Sequence, residues 1–185
     1  FAAALLVLFA AHLRKVDGAV SRLAVLAFGL VYLGWFPAHL VLLHGTYGET
    51  EPALVTALIV TVALTDAGGY FVGKNLGKRK LAPVVSPNKT WAGAVGGTLC
   101  AIVGLFVFVE VMNDRGILAW PLWFILCGGL LLSVASQIGD LVESILKRDA
   151  GIKDSGSIFP GHGGVLDRFD GFLFATPVLY YMLML

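Results

Sequence analysis

The chain has 185 residues, of which 58% are hydrophobic and only 14% are charged, and its formal net charge is +1. A soluble domain of this size usually carries about 25% charged residues, so the composition excludes an ordinary soluble protein. The mean hydropathy is +0.86. The apolar residues lie in long runs with few charges, which is typical of membrane spans.

Apolar segments follow one another along the whole chain. They cover residues 1–13, 23–43, 53–73, 92–112, 117–146 and 169–185. A helix needs roughly 20 residues to cross the hydrocarbon core of a bilayer, and the complete segments approach or exceed that length. Phe1 opens the chain inside an apolar run, so we expect the natural protein to be longer at its N-terminus. The sequence therefore predicts an all-α, polytopic integral membrane protein with about six transmembrane helices, forming a single domain over residues 1–185.

The basic residues predict how these helices are oriented. Of the 13 Lys and Arg residues, 12 fall in the first, third and fifth loops, and only Arg115 falls in the second or fourth loop. Loops rich in Lys and Arg face the cytoplasm. The first, third and fifth loops are therefore predicted to be cytoplasmic, and the chain ends on the opposite side of the membrane.

Acidic residues at the ends of the predicted spans are the main functional signal. Five of them lie at the predicted cytoplasmic ends of three spans: Asp66, Asp140, Glu143, Asp167 and Asp170. Such residues are costly in a membrane and usually functional. Acids from separate helices that face one pocket can hold a hard cation such as Mg²⁺. Pairing of these acids with the nearby Lys and Arg residues is the structural alternative.

Two basic loops complete the predicted site. The fifth loop mixes Lys and Arg with Ser and Gly and contains the run Gly161-His162-Gly163-Gly164, and the third loop contains Ser86-Pro87-Asn88-Lys89-Thr90. Glycines let backbone N–H groups approach phosphate oxygens, and Lys and Arg neutralise the phosphate charge. The two loops and the acids together predict a site for a polyphosphate carried by a metal ion.

Two other kinds of membrane protein fit this pattern less well than an enzyme does. Acids within spans also mark the ion pathways of transporters and proton-coupled channels. Transporters, however, favour acids near the bilayer midplane and inverted repeats with broken helices, whereas here the acids cluster at one face and no repeat is visible. A non-catalytic scaffold leaves the pattern of acids and glycines unexplained.

Three stretches of the sequence match motifs of one known family. The first runs Ser144-Ile145-Leu146-Lys147-Arg148, then Lys153-Asp154, then His162-Gly163-Gly164-Val165-Leu166-Asp167-Arg168-Phe169-Asp170. The second is Asp66-Ala67-Gly68-Gly69-Tyr70-Phe71-Val72-Gly73-Lys74 with Gly77-Lys78, and the third is Ser86-Pro87-Asn88-Lys89-Thr90-Trp91. On these residues the chain resembles the phosphatidate cytidylyltransferase (CDP-diacylglycerol synthase) family, with the signature region at 136–171. Ala92 departs from the pattern, because the family commonly has Glu there.

The resemblance implies an activity, a cofactor and partners. The reaction is a nucleotidyl transfer in phospholipid biosynthesis, in which CTP and phosphatidic acid give CDP-diacylglycerol and pyrophosphate. Members of the family are all-helical membrane enzymes that use Mg²⁺ and work as homodimers. We therefore expect Mg²⁺, with room for a second cation, CTP, phosphatidic acid and membrane lipid as ligands, and no nucleic acid. The expected location is the bacterial inner membrane, with the site facing the cytoplasm.

The motifs also predict the residues of the site. The predicted catalytic residues are Asp140, Asp167, Lys147, Arg148 and His162. The predicted substrate-binding residues are Asp66, Lys74, Lys78, Ser86, Lys89, Thr90, Lys153, Asp154, Gly163, Gly164 and Arg168. The predicted metal ligands are Asp140, Asp167, Asp170 and Glu143. Replacing Asp140 or Asp167 with Asn is expected to lower activity at least about 100-fold with folding retained.

Overall fold

A computed structural model of the chain describes residues 2–12, 17–156 and 164–185. This part of the chain consists of helices and one two-stranded hairpin, so the predicted all-α class is confirmed apart from the hairpin. The elements are α1 (Ala2–His12), α2 (Ala19–Leu30), α3 (Phe36–Tyr47), α4 (Glu51–Leu76), β1 (Lys80–Ala82), β2 (Ser86–Thr90), α5 (Trp91–Asp114), α6 (Leu122–Asp149) and α7 (Leu166–Met182).

Helices α2, α3 and α4 form a nearly continuous helical stretch. A π-helical turn, Val31–Trp35, joins α2 to α3, and a 3₁₀ turn, Gly48–Thr50, lies between α3 and α4. Gly48 has a φ of 49° and a ψ of −112°, a conformation that favours glycine and ends α3. Pro52 lies in the first turn of α4, where its missing N–H removes no helical hydrogen bond. The stretch is therefore divided at Gly48, between the second and third apolar segments of the sequence.

Within the described residues, three helical stretches are long and apolar enough to cross a bilayer: Ala19–Leu76, Trp91–Asp114 and Leu122–Asp149. Many large apolar side chains on these stretches are exposed, among them Val25, Val103 and Trp123 at 62% or more. An exposed apolar surface of this extent indicates contact with lipid. The chain is therefore a membrane protein, but these helices do not confirm that it crosses the membrane six times.

Glycines bring the backbones of α4 and α5 into contact. A Cβ atom at Gly93 would lie 2.7 Å from the carbonyl oxygen of Gly69, and one at Gly97 would lie 3.1 Å from the nitrogen of Gly69. The series continues at intervals of four residues with Gly73 on α4 and Gly77 directly after its last residue. Small residues at this spacing allow membrane helices to approach closely. The close packing places the first turns of α5 against the C-terminal half of α4.

The hairpin connects α4 to α5 and is an element that the apolar pattern did not predict. Its strands are antiparallel, with Lys80 opposite Thr90 and Ala82 opposite Ser86. Thr90 ends β2, and its Oγ1 accepts a hydrogen bond of 3.1 Å from the N–H of Gly93, which caps the N-terminus of α5. The cap fixes Lys89, the preceding residue, beside the first turn of α5.

Helices α6 and α7 pack against each other and against the core. Leu132 of α6 and Leu179 of α7 are fully buried with Leu58 of α4. Gly139 lies against the backbone of α7, where a Cβ atom would come within 3.1 Å of the ring of Phe174. This packing places the acidic C-terminal half of α6 beside the start of α7.

Candidate active site

A cavity of about 570 Å³ lies between α4, the hairpin, α5 and α6, and is called the site cavity below. Helices α4 and α6 and the hairpin contribute polar side chains to its lining, and α5 contributes Gly93 and Ala94. The predicted site residues in the lining are Asp66, Lys74, Lys89, Thr90 and Asp140. The lining therefore combines residues of the second and third motifs with Asp140 of the signature region, and the described residues of the first motif lie outside it.

Lys89 of β2 and Asp140 of α6 form an ion pair in the site cavity. The two side chains are 24% and 32% exposed, so the pair is partly shielded from water. The hydroxyl of Ser144 lies 3.4 Å from Oδ1 of Asp140, one helical turn further along α6. Because a charge-assisted hydrogen bond is stronger than a neutral one, the pair restricts the orientation of both side chains. Lys89 is thereby held as an oriented cation at the edge of an otherwise glycine-rich wall.

A second group of charges lies where the chain leaves α6 and enters α7, and is called the Asp167 cluster below. Oδ1 of Asp167 accepts a hydrogen bond of 2.7 Å from Nζ of Lys147. Its Oδ2 accepts bonds from the N–H and the hydroxyl of Ser155 at 2.8 and 2.7 Å, and from the N–H of Gly164 at 2.7 Å. One carboxylate thus ties α6, the segment after it and the start of α7 together.

These contacts determine the ionisation of Asp167. Partial burial acts to raise the pKa of its carboxyl, but the bonds from Lys147, Gly164 and Ser155 outweigh burial and hold the pKa well below its usual range. Lys147 also forms an ion pair of 2.5 Å with Glu143, whose side chain is only 1% exposed. The Asp167 cluster therefore contains a lysine clamped between two carboxylates.

Asp170, the remaining predicted ligand, lies on α7 one turn after Asp167. Its Oδ1 accepts a hydrogen bond of 2.6 Å from the N–H of Gly171. The backbone of Asp170 packs against Gly139 of α6, the residue before Asp140. The acids predicted from the sequence therefore do lie in one region, although they are held by different partners.

The four predicted metal ligands are not arranged around one position. Asp140 is paired with Lys89, whereas Glu143 and Asp167 share Lys147. Within residues 2–12, 17–156 and 164–185, no three His, Cys, Asp or Glu side chains are placed so that they could hold one ion. In this arrangement lysine ammonium groups neutralise Asp140, Glu143 and Asp167, and the metal set stays a prediction.

The other predicted residues lie around these two groups. Arg148, at the end of α6, donates from Nε to the carbonyl oxygen of Val85 in the hairpin at 3.5 Å. Ser86 is half-buried at the start of β2. Lys78, Lys153, Asp154 and Arg168 have exposed side chains outside the cavity lining. His162 and Gly163 lie outside the described residues.

Some residues of the lining were not assigned to the site from the sequence. They include Gln137, Lys80 and Asn88. Gln137 precedes Asp140 by three residues and shares its face of α6, so helical spacing could have identified it. Lys80 and Asn88 belong to the hairpin, and no periodic pattern of apolar residues predicts that hairpin.

Comparison with known proteins decides the family. A family model described as "Cytidylyltransferase family" matches residues 1–185. The chain belongs to the cytidylyltransferase family. The resemblance stated from the motifs is thereby confirmed. In this member of the family, the second and third motifs meet at the site cavity, and described residues of the first motif lie in the Asp167 cluster.

Curated relatives of this cytidylyltransferase-family chain carry the name phosphatidate cytidylyltransferase. The protein of that name from Bacillus subtilis is 54% identical over 126 residues, which cover 68% of this chain and 45% of the relative. Those from Staphylococcus saprophyticus and Brucella suis are 44% and 45% identical over 157 residues, which cover 85% and 83% of this chain and 58% and 55% of the relatives. The chain thus spans about half the length of the curated relatives that it matches.

Proposed function

We propose that the chain is the catalytic part of a phosphatidate cytidylyltransferase, a nucleotidyltransferase that makes CDP-diacylglycerol from CTP and phosphatidic acid. The observation that carries the proposal is the site cavity, in which Lys89 and Asp140 meet in a wall of glycines. It is supported by identities of 44–54% to relatives of that name.

The chemistry joins two anions, so it depends on cations. A phosphate oxygen of phosphatidate attacks the α-phosphorus of CTP in line, the bond from that phosphorus to the bridging oxygen breaks, and pyrophosphate leaves with the electron pair. A phosphomonoester carries about −1.5 to −2 charge at neutral pH. Lys74 and Lys89 line the cavity and neutralise the phosphates as charge builds up in the transition state. Asp140 keeps Lys89 oriented. Holding the two substrates in line for attack lowers the activation barrier further.

The Asp167 cluster closes the site from the side of α7. Lys147 and Arg148, at the end of α6, bind phosphate oxygens, and Arg168 adds further donors, whereas the N–H of Gly164 is held by Asp167. His162 and Gly163 contact the nucleotide or its phosphates. Asp167 maintains this arrangement by tying the segment after α6 to the start of α7.

Several further expectations belong to the same proposal. The chain crosses a bacterial inner membrane six times if α1 and α7 each span it and the Ala19–Leu76 stretch crosses twice. The site cavity faces the cytoplasm, since the basic loops lie there, and phosphatidate enters sideways between helices. The protein works as a homodimer and depends on Mg²⁺.

The test is a direct assay of the transfer. The purified protein is incubated with CTP labelled at the α-phosphate, phosphatidate and Mg²⁺, and the lipid fraction is examined for label. We expect labelled CDP-diacylglycerol with phosphatidate and none when diacylglycerol replaces it, because diacylglycerol lacks the attacking phosphate. Addition of a chelator tests the Mg²⁺ requirement. Absence of labelled lipid, or equal labelling with diacylglycerol, would contradict the proposal.

A further inference from the structure

Gln137 has an amide group whose orientation is fixed by its neighbours. Its Nε2 lies 3.3 Å from the carbonyl oxygen of Ala94, 3.1 Å from Oγ1 of Thr98 and 3.1 Å from Oγ of Ser133. A carbonyl oxygen can only accept, and the hydroxyl of Thr98 already donates to Ala94 at 3.0 Å. The nitrogen end of the amide must therefore face α5, and the reversed orientation would place two oxygens against each other.

The oxygen end of the same amide is left for an occupant of the site cavity. The recorded hydrogen bonds of the Gln137 side chain all run from Nε2, and Oε1 receives none from the residues that the structure describes. Gln137 lines the cavity with Thr65 and Ala94. A half-buried acceptor that lacks a donor gains most from a ligand that supplies one.

The site cavity has cations at the end opposite Gln137. Lys74 lies nine residues after Thr65 on α4, which corresponds to a rise of about 13 Å at 1.5 Å per residue. Lys80 lies beyond it in the hairpin. A ligand that extends along the cavity would therefore meet the amide of Gln137 with the acceptor Asp66 at one end and positive charge at the hairpin end. A nucleoside triphosphate has this distribution of groups, with a neutral base at one end and phosphates at the other.

We propose that Gln137 is the residue that distinguishes cytosine from uracil in the nucleotide substrate. This inference rests on the proposed function. Cytosine carries an exocyclic amine, which donates, at the position where uracil carries a carbonyl oxygen, which accepts. An amide oxygen that cannot turn away binds the amine and repels the carbonyl. Asp66 also lines the cavity, and its carboxyl oxygens are further acceptors that favour the amine of cytosine over the carbonyl of uracil.

The first variant removes the acceptor. In Gln137→Leu the oxygen is lost, and we expect the ratio of kcat/KM for CTP to that for UTP to fall about tenfold or more, the effect of one hydrogen bond together with one repulsion. The second variant, Thr98→Val with Ser133→Ala, keeps Gln137 but leaves only the carbonyl oxygen of Ala94 to hold its amide nitrogen, so the reversed orientation of the amide costs less than in the wild type. It should raise kcat/KM for UTP, because the amide nitrogen can then donate to the uracil carbonyl.

The two variants separate recognition from a structural role. If Gln137 only joined α5 to α6, its loss would lower turnover of both nucleotides equally, and an unchanged ratio in both variants would overturn the assignment. Displacement of bound labelled CTP by unlabelled CTP or UTP measures the same preference without turnover, should Gln137→Leu prove too unstable to assay. Wild-type protein that forms CDP-diacylglycerol but accepts UTP equally would overturn the inference alone, whereas wild-type protein that neither binds nor uses CTP would overturn the proposed function as well.

Discussion

At the scale of single residues, the site depends on charges that are held in pairs. Asp140 is paired with Lys89, and loss of its charge releases the lysine that faces the site cavity. We expect Asp140→Asn to lower kcat/KM for CDP-diacylglycerol formation at least about 100-fold, the usual effect of losing a group that organises charge in the transition state. The thermal unfolding midpoint in detergent should change little, because the pair is partly exposed.

Glu110→Gln is a suitable control for this variant. Glu110 is an exposed acid near the far end of α5, away from the cavity lining. Its replacement removes one negative charge from the chain, as Asp140→Asn does, and should leave turnover unchanged. Nearly normal turnover by Asp140→Asn would remove Asp140 from the site.

Asp167 couples the stability of the protein to pH. The pKa of its carboxyl is lowered in the folded protein, so its contribution to stability is complete above the pKa of an unfolded Asp, about 3.9, and is lost as the pH falls through the lower folded value. We expect Asp167→Asn to lower the unfolding midpoint near neutral pH and to weaken its decline below about pH 4. Unfolding curves over a pH series, with Asp154→Asn as an exposed control, measure both effects. Identical pH dependence in wild type and Asp167→Asn would show that Asp167 does not stabilise the fold.

This expectation revises the sequence-based one for Asp167. The sequence predicted lost activity with folding retained, the expected effect of losing a charge that stabilises the transferring phosphate. It could not predict that one carboxylate also holds Ser155 and Gly164. Helical spacing shows which residues share a face of one helix, but the partner on another helix follows only from the packing.

At the scale of elements, the helices could be predicted and the hairpin could not. Long apolar runs report membrane helices directly, and the division at Gly48 falls between two of the predicted segments. The strands of the hairpin have only 3 and 5 residues and lie in a polar segment, so they carry no detectable period. The hairpin supplies Lys89 to the site, and therefore its absence from the prediction left the pairing of Lys89 with Asp140 unforeseen.

The contact between α4 and α5 should tolerate no side chain at Gly97. A Cβ atom there would lie 3.1 Å from the nitrogen and 3.3 Å from the Cα of Gly69, and backbone atoms of a packed helix cannot yield cheaply. We expect Gly97→Ala to destabilise the protein by about 1–3 kcal/mol, as overpacking usually does. Gly69 and Gly93 line the site cavity, so activity should fall too.

Gly45→Ala is the matched control for this prediction. A Cβ atom at Gly45 of α3 would meet nothing within 4 Å, and alanine is the better helix former. Chemical or thermal unfolding in the same detergent compares the two variants. Equal stability of Gly97→Ala and Gly45→Ala would mean that α4 and α5 can separate without cost.

At the scale of the whole molecule, the site residues lie together with two of the basic segments, the hairpin and the end of α6. The hairpin and the end of α6 meet through Arg148 and Val85, and both carry clusters of Lys and Arg in the sequence. The turn at Gly48 and the segment after α5 lack such clusters. Charge alone therefore separates the loops into two sets, and the fold places the site cavity and the Asp167 cluster with the basic set.

Single cysteines placed in these loops should react from opposite sides of the membrane. Cys100 and Cys127 are first replaced with Ala, and one cysteine is then introduced at Val84, Glu49 or Asn113, which all have exposed side chains. Val84 lies at the tip of the hairpin and is 90% exposed. Because Lys and Arg favour the cytoplasmic side, a membrane-impermeant maleimide should label Val84→Cys only in inside-out vesicles, and Glu49→Cys and Asn113→Cys only in right-side-out vesicles. Labelling of Val84→Cys and Asn113→Cys from one side would mean that α5 does not cross the membrane, and the same result for Val84→Cys and Glu49→Cys would mean that α4 does not.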